Sequence, residues 1–229
     1  MRERVKNQFA ELGIGICFHG PSDVPLLNRH LRIRMAGLDR IYEMIDMAVD
    51  MGAEYFIIHP GRLAFYSTST QKVFFMEQRY PQRISELLHD SMQRLLDHCG
   101  DKIRLCVENT HTVAVPYLDV ISRLASQSGL GLVWDVGHTE HLSEIKRQQI
   151  LKFMQENIRH VKLVHLHDIR KGAVHKSLGS GSLNIAGYLE IFKALSVDAI
   201  LEIFPEDELL KSVEYLKKLE LADQKQSLI

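Results

Sequence analysis

The sequence predicts an α/β fold of the parallel (β/α)-barrel type, and three observations predict it. Short β-branched apolar runs alternate with longer helical stretches along the whole chain. The strand-like runs carry few interspersed polar residues, the pattern of parallel strands covered by helices. Each run also ends in, or close to, a His, Asp or Glu, and in a barrel all strand C-termini share one face. No GxGxxG follows the first run and no GxxxxGK[ST] occurs anywhere, so the doubly wound nucleotide-binding folds lose their usual signatures.

The elements follow in order. Residues 1–12 read as a helix with Val5, Phe9 and Leu12 on one face, and Gly13–His19 (GIGICFH) as the first strand. Leu38, Ile41, Ile45, Ala48 and Val49 recur at three-to-four spacing and predict a helix over 35–51. Tyr55–His59 (YFIIH) is the second strand; a helix over 80–98 turns Ile84, Leu87, Leu88 and Leu95 inward. Ile103–Glu108 is the third strand, 116–127 a short helix, Leu130–Asp135 the fourth strand and 143–157 a helix. His160–His167 is the fifth strand, 184–195 a helix, Ala199–Phe204 the sixth strand and 206–221 the last helix. The tail from Asp223 reads as frayed and Ser67–Thr70 as a polar, mobile loop. Met35, Met44, Met47 and Met51 read as core filler. Phe65 and Tyr66 read as loop packing or a stacking surface.

Bulk properties narrow the function classes. At 229 residues the chain suits one domain, 1–229. A net charge of -1, from 28 Lys+Arg against 29 Asp+Glu, argues against a dominant nucleic-acid surface. No apolar run approaches the about 18 residues that span a bilayer, and the charged start Met1-Arg2-Glu3-Arg4 has no apolar signal region behind it. Cys17, Cys99 and Cys106 are odd in number without CxxC spacing, which reads as reduced thiols in a cytoplasmic protein.

The chemistry sits at the strand ends. His19, His59, Glu108 and Asp135 end the first four strands; His165 lies in the fifth, with His167 on the same side, and Glu202 lies in the sixth. Such carboxylates and imidazoles suit Zn²⁺, Mn²⁺ or a similar ion, and the carboxylates can also carry protons. Singly, each has an ordinary alternative: Asp135 and Asn109 could cap helices, and a His on an apolar strand is often a satisfied core residue. Recurrence over six segments favours a shared site, because buried charges are almost always paired or bound to metal. Trp134 precedes Asp135 and so points the other way, toward the helix layer. Past the fourth strand stands His138. His175 opens a Gly-rich turn, His175–Gly181 (HKSLGSG), with Arg170, Lys171 and Lys176 around it, a candidate phosphate clamp built on backbone N–H groups.

At these residues the sequence resembles the xylose-isomerase-like TIM-barrel superfamily, which includes sugar and sugar-phosphate isomerases and epimerases and the type IV AP-site endonucleases. The matching pieces are HGP (19–21), HPG (59–61), VENT (107–110), DVGH (135–138), HLHD (165–168), HKSLGSG (175–181) and LEI (201–203), in family order. The resemblance implies a metal site of Glu108, Asp135, His165 and Glu202. In the epimerase branch Glu108 and Glu202 would also be the acid–base pair that removes and returns a proton beside a carbonyl, around a metal-stabilised enediolate. Mg or Co would also suit such a site. In the endonuclease branch three zinc ions are held, and His19, His59, His138 and His175 would be the extra ligands. The chain departs from that branch at Ala173, where its pattern has Asp. It also shows six strands where a full barrel has eight. The first two are therefore expected to be absent, leaving an open edge that dimerisation or an N-terminal extension would cover.

Three functions follow as expectations. The first is a metal-dependent sugar or sugar-phosphate isomerase or epimerase. The second is a zinc-dependent phosphodiesterase acting on abasic DNA, with Arg29, Arg32, Arg34 and Arg40 as backbone contacts; the plainer reading of that cluster is a solvated helix start. The third is a non-catalytic metal- or sugar-binding remnant.

Overall fold

The computed structural model describes residues 2–61, 63, 65–70, 72–110 and 115–226. The chain divides into two compact units, Met1–Glu108 with Thr112–Leu132, and Asn109–His111 with Val133–Ile229.

The first unit runs α1 (Arg2–Glu11), β1 (Cys17–His19), α2 (Leu31–Asp50), β2 (Tyr55–Ile58), β3 (Tyr66–Ser67), β4 (Lys72–Val73), α3 (Phe75–Arg79), α4 (Pro81–Cys99), β5 (Arg104–Glu108) and α5 (Val115–Ser128), and takes in the first residues of β6 (Gly131–Asp135). β1, β2 and β5 are neighbours in that order and parallel, with Phe18 opposite Phe56 and Phe56 opposite Leu105. Phe56, Ile57, Ile58, Leu105, Cys106 and Val107 are all buried, as strands covered on both faces require. α2 buries Leu38, Ile41, Ile45 and Ala48, one stripe at helical period. α4 opens on Pro81, whose missing N–H costs nothing in a first turn, and stops at Gly100, where φ is +49°. Its buried face is Ile84, Leu87, Leu88, Met92 and Leu95.

Several expectations change here. Met35, Met44, Met47 and Met51 are only half-buried and flank the α2 stripe instead of filling the core. α1 buries none of its residues, and Leu12 beyond it is 71% exposed. Arg34 does not face solvent. It is buried, and its guanidinium donates to Asp90 at 2.7 Å and to the Asn28 carbonyl at 3.3 Å. Burial opposes ionisation of Asp90, but the hydrogen bonds from Arg34 and Arg94 outweigh it and hold that carboxyl below its usual range. Arg29, Arg32 and Arg40 are exposed. The expected loop at Ser67–Thr70 begins inside a β3–β4 hairpin, antiparallel with Tyr66 opposite Val73. Phe65 packs on Phe74 with ring centres 5.4 Å apart.

The second unit takes in the end of β6 and continues through α6 (Val136–Glu140), α7 (Glu144–Glu156), a 3₁₀ turn (Ile158–His160), β7 (Val161–Leu166), β8 (Asp168–Arg170), β9 (Ala173–Lys176), α8 (Ile185–Leu195), β10 (Asp198–Leu201) and α9 (Glu206–Gln226). β7 lies between β6 and β10, and β10 is parallel to it, with Ile200 opposite His165. Trp134 does turn to the helix layer: its ring meets Tyr188 and Phe192 of α8 edge-on, and its Nε1–H donates to Thr139. The sixth strand is shorter than expected, so Glu202 stands just beyond β10. α9 carries residues 223–226, expected to fray, and 227–229 lie outside the described residues. Among the described residues, no helix is long and apolar enough to cross a membrane.

The β8–β9 hairpin had no counterpart in the sequence reading. Lys171 and Gly172 at its tip both have positive φ, +53° and +76°, the two-residue turn whose twist matches paired strands. Asp168 anchors its base. Its buried carboxylate accepts the N–H groups of Ile169 at 2.7 Å, Gly181 at 2.8 Å and Leu183 at 3.1 Å. A Cβ at Gly181 would collide with Asp168 and the Ile169 carbonyl, so the glycine is dictated by this contact. Replacing Asp168 by Ala strands these donors; we expect Asp168→Ala to lower unfolding free energy by at least about 2 kcal/mol, measured by urea titration.

Candidate metal centre

In the first unit, three residues named by the sequence come together. Glu108, at the end of β5, is buried, and its Oε2 lies 2.9 Å from His19 Nε2 and 3.3 Å from His59 Nε2. The two imidazoles stand edge-to-face, 5.0 Å between centres. His19 Nδ1 is 2.7 Å from the Gly20 carbonyl. A carbonyl only accepts, so Nδ1 carries a proton there. Nε2 then meets the carboxylate oxygen through a second proton or through a cation. Parallel pairing creates the triangle: His19 ends β1, His59 follows β2 and Glu108 ends β5, on neighbouring strands.

In the second unit, Asp135, His165 and Glu202 each bring one donor atom within 4.8 Å of the others. His165 Nδ1 lies 3.3 Å from Glu202 Oε2 and 4.0 Å from Asp135 Oδ2. Asp135 and His165 are buried, and Glu202 keeps 28% of its side chain exposed. An imidazole with two carboxylates is a donor set that suits zinc or manganese, and the residues fit such an ion.

Asp135 also caps α6, as its position suggested: Oδ1 accepts the His138 N–H at 2.5 Å. Among the described residues, the side chain of Asn109 bonds to the end of β6 and to α6. Its amide oxygen accepts the Asp135 N–H at 2.8 Å, and its nitrogen donates to the Asp135 carbonyl at 3.0 Å and to Thr139 at 3.1 Å, pinning the end of β6.

His138 and His175 are brought together, joined by His167: these three imidazoles also each offer a donor atom within 4.8 Å. His175 takes φ +54°, and its Nδ1 lies 3.1 Å from the Glu202 carbonyl. His167 had drawn notice only for sharing a strand face with His165; that period-two spacing was the available signal. The Gly-rich turn does cradle an anion, but the anion is the Asp168 carboxylate, so the N–H groups of Gly181 and Leu183 are committed. Arg170 and Lys171 lie exposed toward the hairpin tip, and Lys176 is half-buried opposite Asp168.

Parallel strands covered by helices, with carboxylates and imidazoles at their ends, define an α/β-barrel fold that carries a candidate metal site. The chain belongs to the xylose isomerase-like TIM-barrel family, whose sequence pattern matches residues 1–219. It is 22% identical over 228 residues to the uncharacterized protein MJ1311 of Methanocaldococcus jannaschii, across 93% of this chain and 72% of that one. Three solved structures share the fold. A D-tagatose 3-epimerase-like protein superposes with a TM-score of 0.77 at 20% identity, over 98% of this chain and 84% of that one. The 3-keto-D-glucoside 4-epimerase YcjR of E. coli gives 0.68 at 17%, over 96% and 84%. The TTHB071 protein of Thermus thermophilus, soaked with ZnCl2, gives 0.69 at 20%, over 95% and 81%. The described residues contribute six principal strands to this fold, β1, β2, β5, β6, β7 and β10.

Close packing behind Asp135 yields a test. A Cβ on Gly137 would run into the His167 ring. We expect Gly137→Ala to cost about 1–3 kcal/mol through overpacking, read as a lower thermal midpoint, with the site disturbed from behind.

Proposed function

We propose that the protein is a divalent-metal-dependent isomerase or epimerase of a sugar or sugar phosphate. The observation that carries this reading is the Asp135–His165–Glu202 set, three donors within 4.8 Å at the ends of strands. The likeness to a 3-keto-D-glucoside 4-epimerase and to a D-tagatose 3-epimerase-like protein supports the substrate class. Glu108 is assigned as the fourth ligand from its VENT motif.

Zinc or manganese is the preferred ion; bound, it would polarise the sugar carbonyl and so make the adjacent C–H more acidic. The proton work falls to Glu108 and Glu202. One carboxylate takes the proton from the carbon beside the carbonyl, and one returns a proton to that carbon or its neighbour. Return to the opposite face of the same carbon inverts it; return to the neighbouring carbon, with the hydroxyl proton passing to the former carbonyl oxygen, moves the carbonyl. Glu202, partly exposed, exchanges its proton with solvent more readily than Glu108, whose side chain is 1% exposed.

A second reading has its own support. His19, His59 and Glu108 form a compact two-imidazole, one-carboxylate group, the kind of extra metal set a zinc phosphodiesterase of abasic DNA would use. Ala173 and the internal pairing of Arg34 count against it.

Elemental analysis of the purified protein, beside the Glu108→Gln/Glu202→Gln variant, tests these readings. Near one zinc or manganese per chain, lost in the variant, is expected. Incubation with ketoses and their phosphates in D₂O should put deuterium on carbon, at a rate about 10²–10⁴-fold lower in Glu202→Gln. Two or three zincs with cleavage of abasic DNA would favour the second reading. Metal without turnover on either substrate class would point to a binding remnant.

A further inference from the structure

The three imidazoles of His138, His167 and His175 have the look of another metal site, but the bonds of His167 argue for a different task. Its Nδ1 lies 3.0 Å from the His175 backbone nitrogen, inside a hydrogen bond in which the amide is the donor. An amide N–H has nothing to accept with, so in this bond Nδ1 presents its lone pair; the Asp168 carbonyl, the other neighbour of Nδ1, is farther away at 3.5 Å. The ring proton of neutral His167 is therefore on Nε2. That nitrogen lies 3.2 Å from the Asp135 carboxylate and donates to it. Both ring nitrogens are thus committed within the protein, and no lone pair remains for an ion.

We propose that His167 is a positioning residue: it orients the Asp135 carboxylate as a metal ligand and, through the His175 amide, ties the β8–β9 hairpin to that carboxylate. The proposal rests on the reading of Asp135 as a ligand. Three observations support it. His167 is fully buried, so water cannot take over either bond. Gly137 is bare where a Cβ would strike the His167 ring, so backbone has been shaped around this imidazole. His175 holds a left-handed backbone conformation that places its N–H on the ring, unusual for a residue other than glycine. A buried imidazole that donates to a ligating carboxylate fixes the direction of its lone pairs, and loss of such outer partners weakens metal binding.

Two substitutions separate the two bonds. The side-chain amide of His167→Asn reaches about as far as Nδ1, so its oxygen can accept the His175 N–H while the donor to Asp135 is lost. The amide of His167→Gln reaches the position of Nε2, so it keeps the donor to Asp135 and loses the acceptor. Full-length, metal-stripped protein would be titrated with Zn²⁺ and with Mn²⁺ by calorimetry. The expected result is about 10–100-fold weaker binding in His167→Asn and near-native binding in His167→Gln. Hydrogen exchange at the His175 amide should show the reverse, slow in the Asn variant and fast in the Gln variant. Equal weakening in both variants would mean that the ring only fills space, and unchanged binding in His167→Asn would mean that it does not orient Asp135; either overturns the proposal. Failure of the unaltered protein to bind either ion overturns the metal reading itself and this inference with it. Should His167→Asn not fold, nitrogen-15 NMR of the unaltered protein decides: the Nε2–H tautomer supports the proposal and the Nδ1–H tautomer overturns it.

Discussion

A carboxylate with no access to water is the constraint on which the second unit depends. Asp135 is fully buried, and an ionised acid there is tolerable only if donors surround it. The protein supplies them from nearby backbone and from a distant loop. The first turn of α6 provides the His138 N–H, and His167 provides an imidazole N–H. Asn109 grips the backbone on both sides of the same residue, so the end of β6 is held whatever the side chain does. The helix start, the strand end and the return of the chain after β7 are three answers to one buried charge.

Asp168 presents the same problem and receives a different answer. Its oxygens are filled by backbone amides, which leave it saturated and chemically quiet. Asp135 is approached by His165, which also approaches the Glu202 carboxylate, an arrangement into which a cation can enter. Two buried aspartates in one unit thus differ in the donors they meet, backbone amides at Asp168 and imidazoles beside one amide at Asp135. A glycine-rich turn that bares its amides does attract an anion; here the chain provides its own.

The strands were readable because parallel strands are buried on both faces and show as unbroken apolar runs, YFII and LGLVW among them. Their terminal residues stood out only together: any one acid or imidazole after such a run has an ordinary role, as Asp135 shows by capping α6, but its recurrence at six strand ends does not. What stayed hidden was built from few residues. β3, β4 and β8 are two or three residues long, too short for a period to register. α6 and α3 are single turns, and α6 exists because Asp135 caps it. Arg34 looked like its exposed neighbours because nothing local announces Asp90, 56 residues away. His167 was visible as a letter, but its task depends on an amide eight residues on.

The hairpin tip separates geometry from chemistry in a useful way. Lys171 and Gly172 close the turn by backbone conformation alone, while the registration of the two strands is secured at the other end by Asp168. Residues added at the tip would lengthen a ribbon already pinned at its base. That turn is a natural port for a fluorophore, a spin label or an inserted peptide, placed on the segment that carries His175 yet outside the bonds that hold it.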